Sequence, residues 1–426
     1  MRLKENWGQP MKQILVIGGG VVGLSTAYYC ARAGHHVTVL DRGSPTDENC
    51  SHGNAGLVVP SHFVPLAAPG MVALGLKWML KPDSPFYIKP RLSGDLVGWA
   101  LNFWRAATPE HVRRSAPLLR DLNVASRECF EEFAGLSGNA FGLEKKGLLC
   151  LCKTEHRLEE EAKLVEQARQ LGLEAEVFTA KQAAELDPNV RMDIVGAVYF
   201  RDDCHLTPAR FMASLKEQVE RVGVATSWST KVIGITHHKT RITSVKTSCG
   251  DFAADEFVLC AGSWSASLAR DLGLMLPLQA GKGYSLTLPE SRQAPEIPAI
   301  LTEARVAVTP MSGSLRFGGT MEIAGLNETI NPIRVQGIIN SALKYYPDFT
   351  PRDFEEIKPW CGLRPCSPDG LPYVGRTRRY ANLSIATGHA MMGLSLGPIT
   401  GKLIAQILSG EKTSIDIQLL NPDRYA

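Results

Sequence analysis

Three glycines and one acidic residue near the start of the chain have the spacing of a phosphate-binding turn. Gly18, Gly20 and Gly23 follow the apolar run at 14–17 in the order G-x-G-x-x-G. In such a turn the missing side chains permit a tight bend, a close approach to a pyrophosphate and close packing of the next helix. Asp41 follows about 20 residues later, where a carboxylate can accept hydrogen bonds from an adenosine ribose. The pattern predicts a dinucleotide site but does not specify the dinucleotide.

The elements that must hold this turn can be predicted from the flanking residues. The run at 14–17 predicts a buried parallel strand, helical apolar spacing continues to Gly34, and the run at 37–40 predicts a second strand. The far end of the chain repeats this order, with a strand at 383–388, a glycine-rich turn and a helix that ends at Gly410. We therefore expect both ends to pair in one cofactor domain, where the second helix N-terminus stabilises negative charge.

Composition and charge argue against several classes of partner. The chain has 46 Lys and Arg against 43 Asp and Glu, a net charge of +3 without a basic block, which argues against nucleic acid binding. Its ten cysteines are scattered without a C-x-x-C pair or a histidine cluster, so we predict a reduced interior. Cys150 and Cys152 could bind a soft metal, but in a strand-like run they are more simply core residues. No metal site is predicted.

The location of the protein is predicted from its apolar segments. The first 13 residues are polar, so we expect no secretory signal, and no run of about 18 apolar residues indicates a transmembrane helix. We expect a cytoplasmic protein, with peripheral contact at the inner face of the membrane left open. Residues 60–110 bear on that contact, because they combine seven prolines, Pro82 among them, with aromatic residues such as Trp104. Core packing is the simpler explanation, and an exposed patch that touches a membrane or a partner protein is the alternative.

Two loops contain residues that could contact a cofactor. The segment 51–56 is built of small residues, and Ser51 or Asn54 could bond a flat ring, although on composition alone an ordinary surface loop is the simpler explanation. The turn from Ala261 to Trp264 follows a short apolar strand, as phosphate-facing or ring-facing loops do.

The middle of the chain predicts different structure from the two ends. A helix begins at Pro208 with Thr207 as its N-cap. Residues 281–290, 299–325 and 357–375 are β-rich, with one helix near 333–346 between them. Because this sheet is unlike a parallel one, we predict a second domain.

Several separated blocks together resemble a known family. The glycine turn with Asp41, the 51–56 loop, the 258–264 segment, GLRP at 362–365 with SPDG at 367–370, and TGH at 387–389 resemble the D-amino acid oxidase superfamily of FAD enzymes. The nearest branch is similar to the bacterial D-amino acid dehydrogenases, and the resemblance runs from about residue 12 to 415. Relatives with these blocks oxidise glycine, sarcosine, D-arginine or hydroxy-D-proline.

The resemblance implies an α/β (α+β) fold and an FAD cofactor. The expected architecture is a Rossmann-type FAD-binding domain with a second, mainly antiparallel β domain for the substrate. We assign 11–59, 207–275 and 361–426 to the FAD-binding domain, and 60–206 and 276–360 to the substrate-binding domain.

The implied activity is oxidative deamination of a D-amino acid. A hydride passes from the α-carbon to flavin N5, and the resulting imine hydrolyses to a 2-oxo acid. The alternatives are a hydroxy-D-proline dehydrogenase, an oxygen-using amine oxidase of the glycine or sarcosine oxidase kind, and a non-catalytic flavin-binding electron-transfer subunit. The electron acceptor is not specified, with a quinone or the respiratory chain as candidates.

The resemblance also implies roles for single residues. Arg364 matches the arginine that grips the substrate carboxylate, Tyr284 matches a pocket tyrosine that helps bind it, and His389 lies in a turn close to the flavin. A structural ion pair, a core tyrosine and a structural histidine are the simpler alternatives. Cys361 falls near a position that is bonded to FAD in some relatives, but the dehydrogenase branch implies a non-covalent cofactor. The residues expected at the cofactor are Gly18, Gly19, Gly20, Val21, Val22, Gly23, Asp41, Arg42, Ser51, Asn54, Ala55, Gly56, Val232, Ala261, Gly262, Trp264, Gly388, Met391, Met392, Gly393 and Leu394.

Overall fold

The computed structural model describes residues 11–79, 84–91, 93–291 and 293–426. Most of the amino-terminal segment that we expect to carry no secretory signal lies outside these residues, as does Pro82. The described strands are β1 (Gln13–Ile17), β2 (His36–Leu40), β3 (Leu57–Val58), β4 (Phe86–Ile88), β5 (Leu148–Cys152), β6 (Ala175–Thr179), β7 (Gly196–Phe200), β8 (Cys204–His205), β9 (Ala225–Ser227), β10 (Val232–His238), β11 (Arg241–Thr247), β12 (Gly250–Phe252), β13 (Glu256–Leu259), β14 (Gln279–Leu288), β15 (Ala299–Leu301), β16 (Val306–Met311), β17 (Ser314–Ile323), β18 (Trp360–Cys366), β19 (Tyr373–Arg376) and β20 (Leu383–Thr387). The described α-helices are α1 (Val21–Arg32), α2 (Met71–Met79), α3 (Gly94–Ala106), α4 (Pro109–Ser137), α5 (Glu155–Gln170), α6 (Ala180–Leu186), α7 (Pro208–Arg221), α8 (Ser265–Asp271), α9 (Pro332–Tyr345) and α10 (Gly393–Leu408).

The two ends of the chain meet in one six-stranded sheet. Its order is β19-β20-β13-β1-β2-β9, and β1 pairs in parallel with both β2 and β13. The β20 strand pairs in parallel with β13, and only β19 runs antiparallel. The expected pairing of both ends in one sheet is therefore present, and a doubly wound parallel sheet places its ligand at the carboxyl ends of its strands.

Helices α1 and α10 pack closely because glycines line their contact. A Cβ at Gly401 would lie 2.4 Å from the backbone of Ser25, and one at Gly397 would lie 2.7 Å from the Val21 side chain. Residues 390–408, which include α10, are long and apolar enough to cross a membrane by length and composition, yet 67% of them is buried inside the protein. Their contacts are those of a core helix.

A nine-stranded, mainly antiparallel sheet forms the second layer. The order is β18-β14-β17-β16-β15-β5-β7-β6, with β4 added to β17. The β18 strand pairs antiparallel with β14, from Trp360 opposite Ser285 to Cys366 opposite Gln279. Arg364 is thus part of this sheet. The segment that we assigned to the FAD-binding domain begins at residue 361, and this boundary falls inside β18, a strand of the nine-stranded sheet and not of the parallel one.

Helix α7 begins where the sequence predicts, but its cap differs. Thr207 is the N-cap residue and Pro208 the first helical residue. The Thr207 hydroxyl makes no cap hydrogen bond and lies 3.0 Å from the Ser312 hydroxyl instead. The backbone conformation and the proline therefore start this helix without a side-chain cap.

Candidate active site

One large cavity lies between the two sheets. Its volume is about 2140 Å³, and its walls include Gly20 and Asp41 from the parallel sheet and Arg364 from β18. Sites for a single small ligand usually measure ~300–1,000 Å³. The cavity therefore has room for a dinucleotide and a second molecule.

The glycine turn at one end of the cavity has no room for a side chain at two of its three glycines. A Cβ at Gly23 would lie 1.8 Å from the carbonyl oxygen of Gly18, and one at Gly18 would lie 2.4 Å from that of Cys260. Gly18 also has a φ of +117°, a conformation that other residues rarely adopt. Gly20 differs, because a Cβ there would meet only the Ser51 hydroxyl, at 3.6 Å. Two glycines thus pack the turn, while the third faces the cavity.

The Asp41 carboxylate is held by the backbone of this turn. Its two oxygens accept hydrogen bonds from the Gly19 N–H at 2.6 Å and from the Gly43 N–H at 2.7 Å. An ionised carboxylate offers about four acceptor sites, so sites remain for the hydroxyls of a ribose. Beside it the Arg42 guanidinium stacks 3.6 Å above the Trp264 ring.

The loop at 51–56 is fixed by its own polar side chains. The Ser51 hydroxyl accepts from the Val21 N–H at 3.1 Å and so caps α1, whose N-cap residue is a glycine. The Asn54 amide donates to the Met391 carbonyl at 3.3 Å and accepts from the Gly56 N–H at 2.9 Å. These groups therefore join α1, the loop and the 389–392 turn into one wall.

Arg316, on β17, also holds this loop, and sequence reasoning missed it. Its Nη1 donates to the carbonyls of His52, at 2.9 Å, and Asn54, at 2.6 Å, while its Nε donates to the Thr287 hydroxyl at 2.9 Å. Burial lowers its pKa. Because its loop partners are backbone oxygens more than 260 residues away along the chain, no motif could have identified it.

Most residues expected at the cofactor do line the cavity. The exceptions are Gly19, Gly23, Gly56 and Gly388, which pack behind its wall. Gly56 has a φ of +76°, and a Cβ there would lie 2.3 Å from the Leu206 carbonyl. The structure brings together Gly18, Gly20, Val21, Val22, Asp41, Arg42, Ser51, Asn54, Ala55, Val232, Ala261, Gly262, Trp264, Met391, Met392, Gly393 and Leu394.

Arg364 borders the other end of the cavity. Its Nη1 donates to the Thr320 carbonyl at 2.6 Å, and its guanidinium lies over Gly283, where a Cβ would come within 2.1 Å of it. Among the residues that the structure describes, no carboxylate lies within 4 Å of this guanidinium. Desolvation lowers its pKa. Thr320 has a φ of +68°, an outlying conformation for a β-branched residue, which marks a strained position beside the arginine.

The Tyr284 hydroxyl is not placed with Arg364. Arg364 lies opposite Gly281 in the β14–β18 ladder, whereas Tyr284 lies opposite Cys361, an odd number of residues away. Side chains alternate between the faces of a sheet, so Tyr284 and Arg364 point to opposite faces. The hydroxyl donates to Glu322 at 2.7 Å and accepts from the Asn331 N–H at 3.3 Å, and burial raises its pKa. Tyr284 thus borders the cavity, as expected, but its hydroxyl lies on the other face of the sheet from Arg364, so the expected role in binding the same carboxylate does not fit this geometry.

His389 and Cys361 differ in their relation to the cavity. His389 borders it, and its Nε2 lies 2.9 Å from the Thr400 hydroxyl. Burial lowers the pKa of His389 to about 3, so the ring is neutral at pH 7 and a poor proton acceptor. The Cys361 thiol lies on the face with Tyr284, 3.0 Å from the Glu328 carbonyl, and is not among the lining residues. This placement agrees with a cofactor held without a covalent bond.

Similarity to known proteins identifies the family. A model of the FAD dependent oxidoreductases (DAO) matches residues 13–407. The D-amino acid dehydrogenase of Methylobacterium nodulans is 34% identical over 419 residues, which cover 97% of this chain and 99% of that protein. The D-amino acid dehydrogenase of Bradyrhizobium diazoefficiens is 32% identical over 423 residues, with 97% and 99% covered.

The chain belongs to the FAD-dependent oxidoreductase family. Solved structures agree on the fold. Glycine oxidase from Geobacillus kaustophilus superposes with a TM-score of 0.77 at 22% identity, and 98% of this chain and 99% of that chain are covered. L-proline dehydrogenase from P. horikoshii gives a TM-score of 0.74 at 17% identity, with 98% of each chain covered.

The cavity of this family member fits its FAD cofactor. Helices α1 and α10 both begin at the cavity, where their N-termini can stabilise a pyrophosphate and negative charge on a ring. A Cβ at Gly262 would meet no atom within 4 Å, which leaves space beside the Arg42–Trp264 stack. Among the described residues no cluster of three or more His, Cys, Asp or Glu side chains could hold a metal.

Proposed function

We propose that the protein is an FAD-dependent dehydrogenase that oxidatively deaminates D-amino acids. The observation that carries this proposal is the Arg364 guanidinium, which faces the cofactor cavity without a carboxylate within 4 Å among the described residues. A partly buried cation without such a partner is costly unless a ligand supplies the anion. The two D-amino acid dehydrogenases that share about a third of its residues over nearly their whole length support the same substrate class.

Arg364 binds the substrate carboxylate in this account. One of its five N–H groups is engaged by the Thr320 carbonyl, which fixes the plane of the guanidinium and leaves a parallel pair of donors for the carboxylate. The position over Gly283 keeps the guanidinium flat against the sheet. Thr320 and Gly283 thus orient the arginine before the substrate arrives, which lowers the cost of ordering on binding.

Bound FAD supplies the acceptor for the hydride of the α-carbon, and the imine that forms hydrolyses in water to a 2-oxo acid. The chain has to hold the α-carbon in place for hydride transfer and to keep other proton donors away from it. His389 contributes a neutral wall, because its Nε2 is hydrogen-bonded to the Thr400 hydroxyl and burial keeps the ring uncharged. The small residues Gly318, Gly319 and Ala307 line the cavity along the sheet, and they leave room for a cyclic amine such as hydroxy-D-proline as the alternative substrate.

Anaerobic flavin bleaching tests the proposal. We expect the purified yellow protein to lose its flavin absorbance when a D-amino acid is added without oxygen, and the L-enantiomer to have no effect. Slow return of the colour in air would mark a dehydrogenase, whereas rapid return would mark the oxygen-using alternative. A flavin that no D-amino acid, hydroxy-D-proline, glycine or sarcosine can bleach would refute the enzyme and leave the electron-transfer subunit.

We also propose that a membrane supplies the electron acceptor, as a lipid-soluble quinone. Helices α2 and α3 expose apolar side chains, with Leu76 and Trp104 each 62% exposed and Val97 66% exposed. Residues 71–106 contain five basic and two acidic residues, a net +3 that equals the charge of the whole chain. Apolar and basic residues together are the pattern of an anionic lipid surface. Both helices also line the cavity, which would then open towards the bilayer at the inner face of the membrane.

Sedimentation with lipid vesicles tests this surface. We expect the protein to bind vesicles that contain phosphatidylglycerol and not vesicles of phosphatidylcholine alone. Val97→Glu and Trp104→Glu should abolish binding and leave D-amino acid oxidation with a soluble dye unchanged, since neither residue lines the cavity. Met275→Glu is the matched control, because Met275 is 62% exposed, as Trp104 is, and lies outside both helices and outside the cavity lining. Binding that survives both substitutions, or that Met275→Glu removes as well, would refute the surface.

A further inference from the structure

A second polar group of residues borders the same cavity, and neither the cofactor nor Arg364 accounts for it. His62 and Arg305 both line the wall. His62 follows β3, and Arg305 lies in the turn between β15 and β16 with a φ of +54°, in the left-handed region. Arg305 is near enough to His62 for its charge to lower the pKa of that imidazole.

A chain of hydrogen bonds fixes the orientation of His62. The β3–β8 ladder, with Val58 opposite Cys204, brings Ser61 beside Asp203. The Ser61 N–H donates to Asp203 Oδ1 at 3.0 Å, and its hydroxyl donates to Oδ2 at 2.5 Å. The same hydroxyl oxygen lies 3.2 Å from His62 Nδ1.

The chain of bonds also determines which ring nitrogen of His62 carries the proton. The Ser61 hydroxyl has a single proton, and it donates this proton in a hydrogen bond to the ionised Asp203. Towards His62 the Ser61 oxygen can therefore only accept a hydrogen bond, from Nδ1–H. Burial raises the pKa of Asp203 to about 7, so this state holds above neutral pH. Burial and the charge of Arg305 lower the pKa of His62 to about 4, which keeps the ring neutral. Nε2 of His62 is therefore an acceptor, without a hydrogen-bond partner among the described residues.

Arg305 supplies donors at the same place. No hydrogen bond or ion pair within 4 Å joins its guanidinium to a residue that the structure describes. The nearby Arg157 is paired with Glu160 and Glu161, and the field of Glu161 also reaches Arg305. Lys163 and Glu303 also line this wall, so three cations face three anions and the region has no net charge with which to attract a carboxylate.

The strand order relates this group to Arg364. The Arg364 guanidinium already reaches β17 at the Thr320 carbonyl, and Arg305 precedes β16, the next strand across the sheet. Neighbouring strands lie ~4.8 Å apart, so a substrate bound at Arg364 would have to extend roughly 5–10 Å along the sheet to reach Arg305. The lower end of this range is the length of an extended amino acid side chain of three or four bonds.

We infer that His62 and Arg305 form a subsite for a neutral polar side chain, a hydroxyl or a carboxamide, of the amino acid substrate. Such a group donates to Nε2 of His62 and accepts from Arg305, whereas an alkyl side chain satisfies neither and a carboxylate repels the Nε2 lone pair. Ser61 and Asp203 are positioning residues that hold the imidazole in its acceptor form. This inference rests on the proposed function, since it names the class of D-amino acid that the enzyme takes.

Matched D-amino acids test the subsite in the holoenzyme at pH 8. D-glutamine, D-methionine and D-glutamate have similar length, and each is titrated anaerobically by the change in the flavin spectrum for binding and by bleaching for oxidation. We expect D-glutamine to bind about 10-fold more tightly than the other two, the effect of one well-placed hydrogen bond. His62→Leu and Arg305→Met should remove this preference and leave D-methionine binding within about threefold. Ser61→Ala, which frees Nδ1, should weaken D-glutamine alone.

The outcomes separate the subsite from the reaction. Equal binding of the three ligands by the native protein, or an equal loss for D-glutamine and D-methionine in His62→Leu, would refute the subsite. Preferential binding of D-glutamine without bleaching would leave the subsite standing and refute the proposed function. Bleaching by all three ligands without preference would refute the subsite and leave the proposed function standing. Absence of any binding would refute both the subsite and the proposed function.

Discussion

The two ends of the cavity are built in opposite ways. At the cofactor end, Gly18, Gly20, Gly23 and Asp41 lie within one short segment, and three of the four act through the absence of a side chain. At the substrate end, Arg364 depends on Thr320 and Gly283 from two other strands. The difference shows that the cofactor end is determined by local sterics, whereas the substrate end is determined by strand register and long-range contacts.

The largest expected effect is at the glycine that packs the turn. Gly23→Ala would place a Cβ 1.8 Å from the Gly18 carbonyl, so we expect a loss of about 5 kcal/mol or more in the free energy of unfolding of the apoprotein. Gly20→Ala is the matched control, because its Cβ would meet only the Ser51 hydroxyl at 3.6 Å. It should leave apoprotein stability unchanged and weaken FAD binding. Equal thermal stability of the two apoprotein variants would contradict the separation between packing and cofactor-facing glycines.

The next largest effect is expected at Asp203, which positions His62 at the substrate end of the cavity. Because burial raises its folded pKa to about 7, above that of an unfolded aspartate, the stability it contributes is present below pH 4 and is lost as pH rises to 7. Asp203→Asn removes this titration. From pH 4 to pH 8 the variant should therefore gain on the order of 4 kcal/mol in unfolding free energy relative to the native protein. Denaturant titration measures the difference in unfolding free energy between the variant and the native protein. If this difference is the same at pH 4 and pH 8, Asp203 is not held in its neutral form.

The smallest effect is at Tyr284. Removal of its hydroxyl in Tyr284→Phe leaves Glu322 with Lys282, 3.5 Å away, and should lower the free energy of unfolding by about 1–2 kcal/mol. The KM for a D-amino acid should not change, since the hydroxyl lies on the face opposite Arg364. A tenfold rise in KM at unchanged stability would show instead that Tyr284 helps to bind the substrate carboxylate.

The contrast between the ends also explains what could be predicted from the sequence. The glycine turn, Asp41 and the pairing of the chain ends could be predicted because their constraints lie within neighbouring residues. Arg364 could be named from its GLRP block, and residues 357–375 were predicted to belong to the β-rich second domain, but the domain boundary at residue 361 falls inside β18 because a block does not reveal its pairing partner.

The residues that were misjudged or missed depend on distant partners. Tyr284 was placed at the carboxylate because the face it occupies depends on register with β18, which the sequence does not show. Arg316 and the Ser61–Asp203 pair were missed because their partners are backbone atoms or lie more than 140 residues away. Such contacts form only when the two sheets come together.

The most direct test of the account is carboxylate binding by Arg364 variants. The native protein, Arg364→Met and the exposed control Arg201→Lys are loaded with FAD and titrated anaerobically with a D-amino acid, with the flavin spectrum as the readout. We predict intact FAD binding in all three and affinity weakened by about 100-fold or more in Arg364→Met alone, because a carboxylate would then be buried without its cation. Arg364→Lys should recover part of this loss, since it restores the charge but not the paired donors. Affinity within threefold of the native value in Arg364→Met would contradict the account.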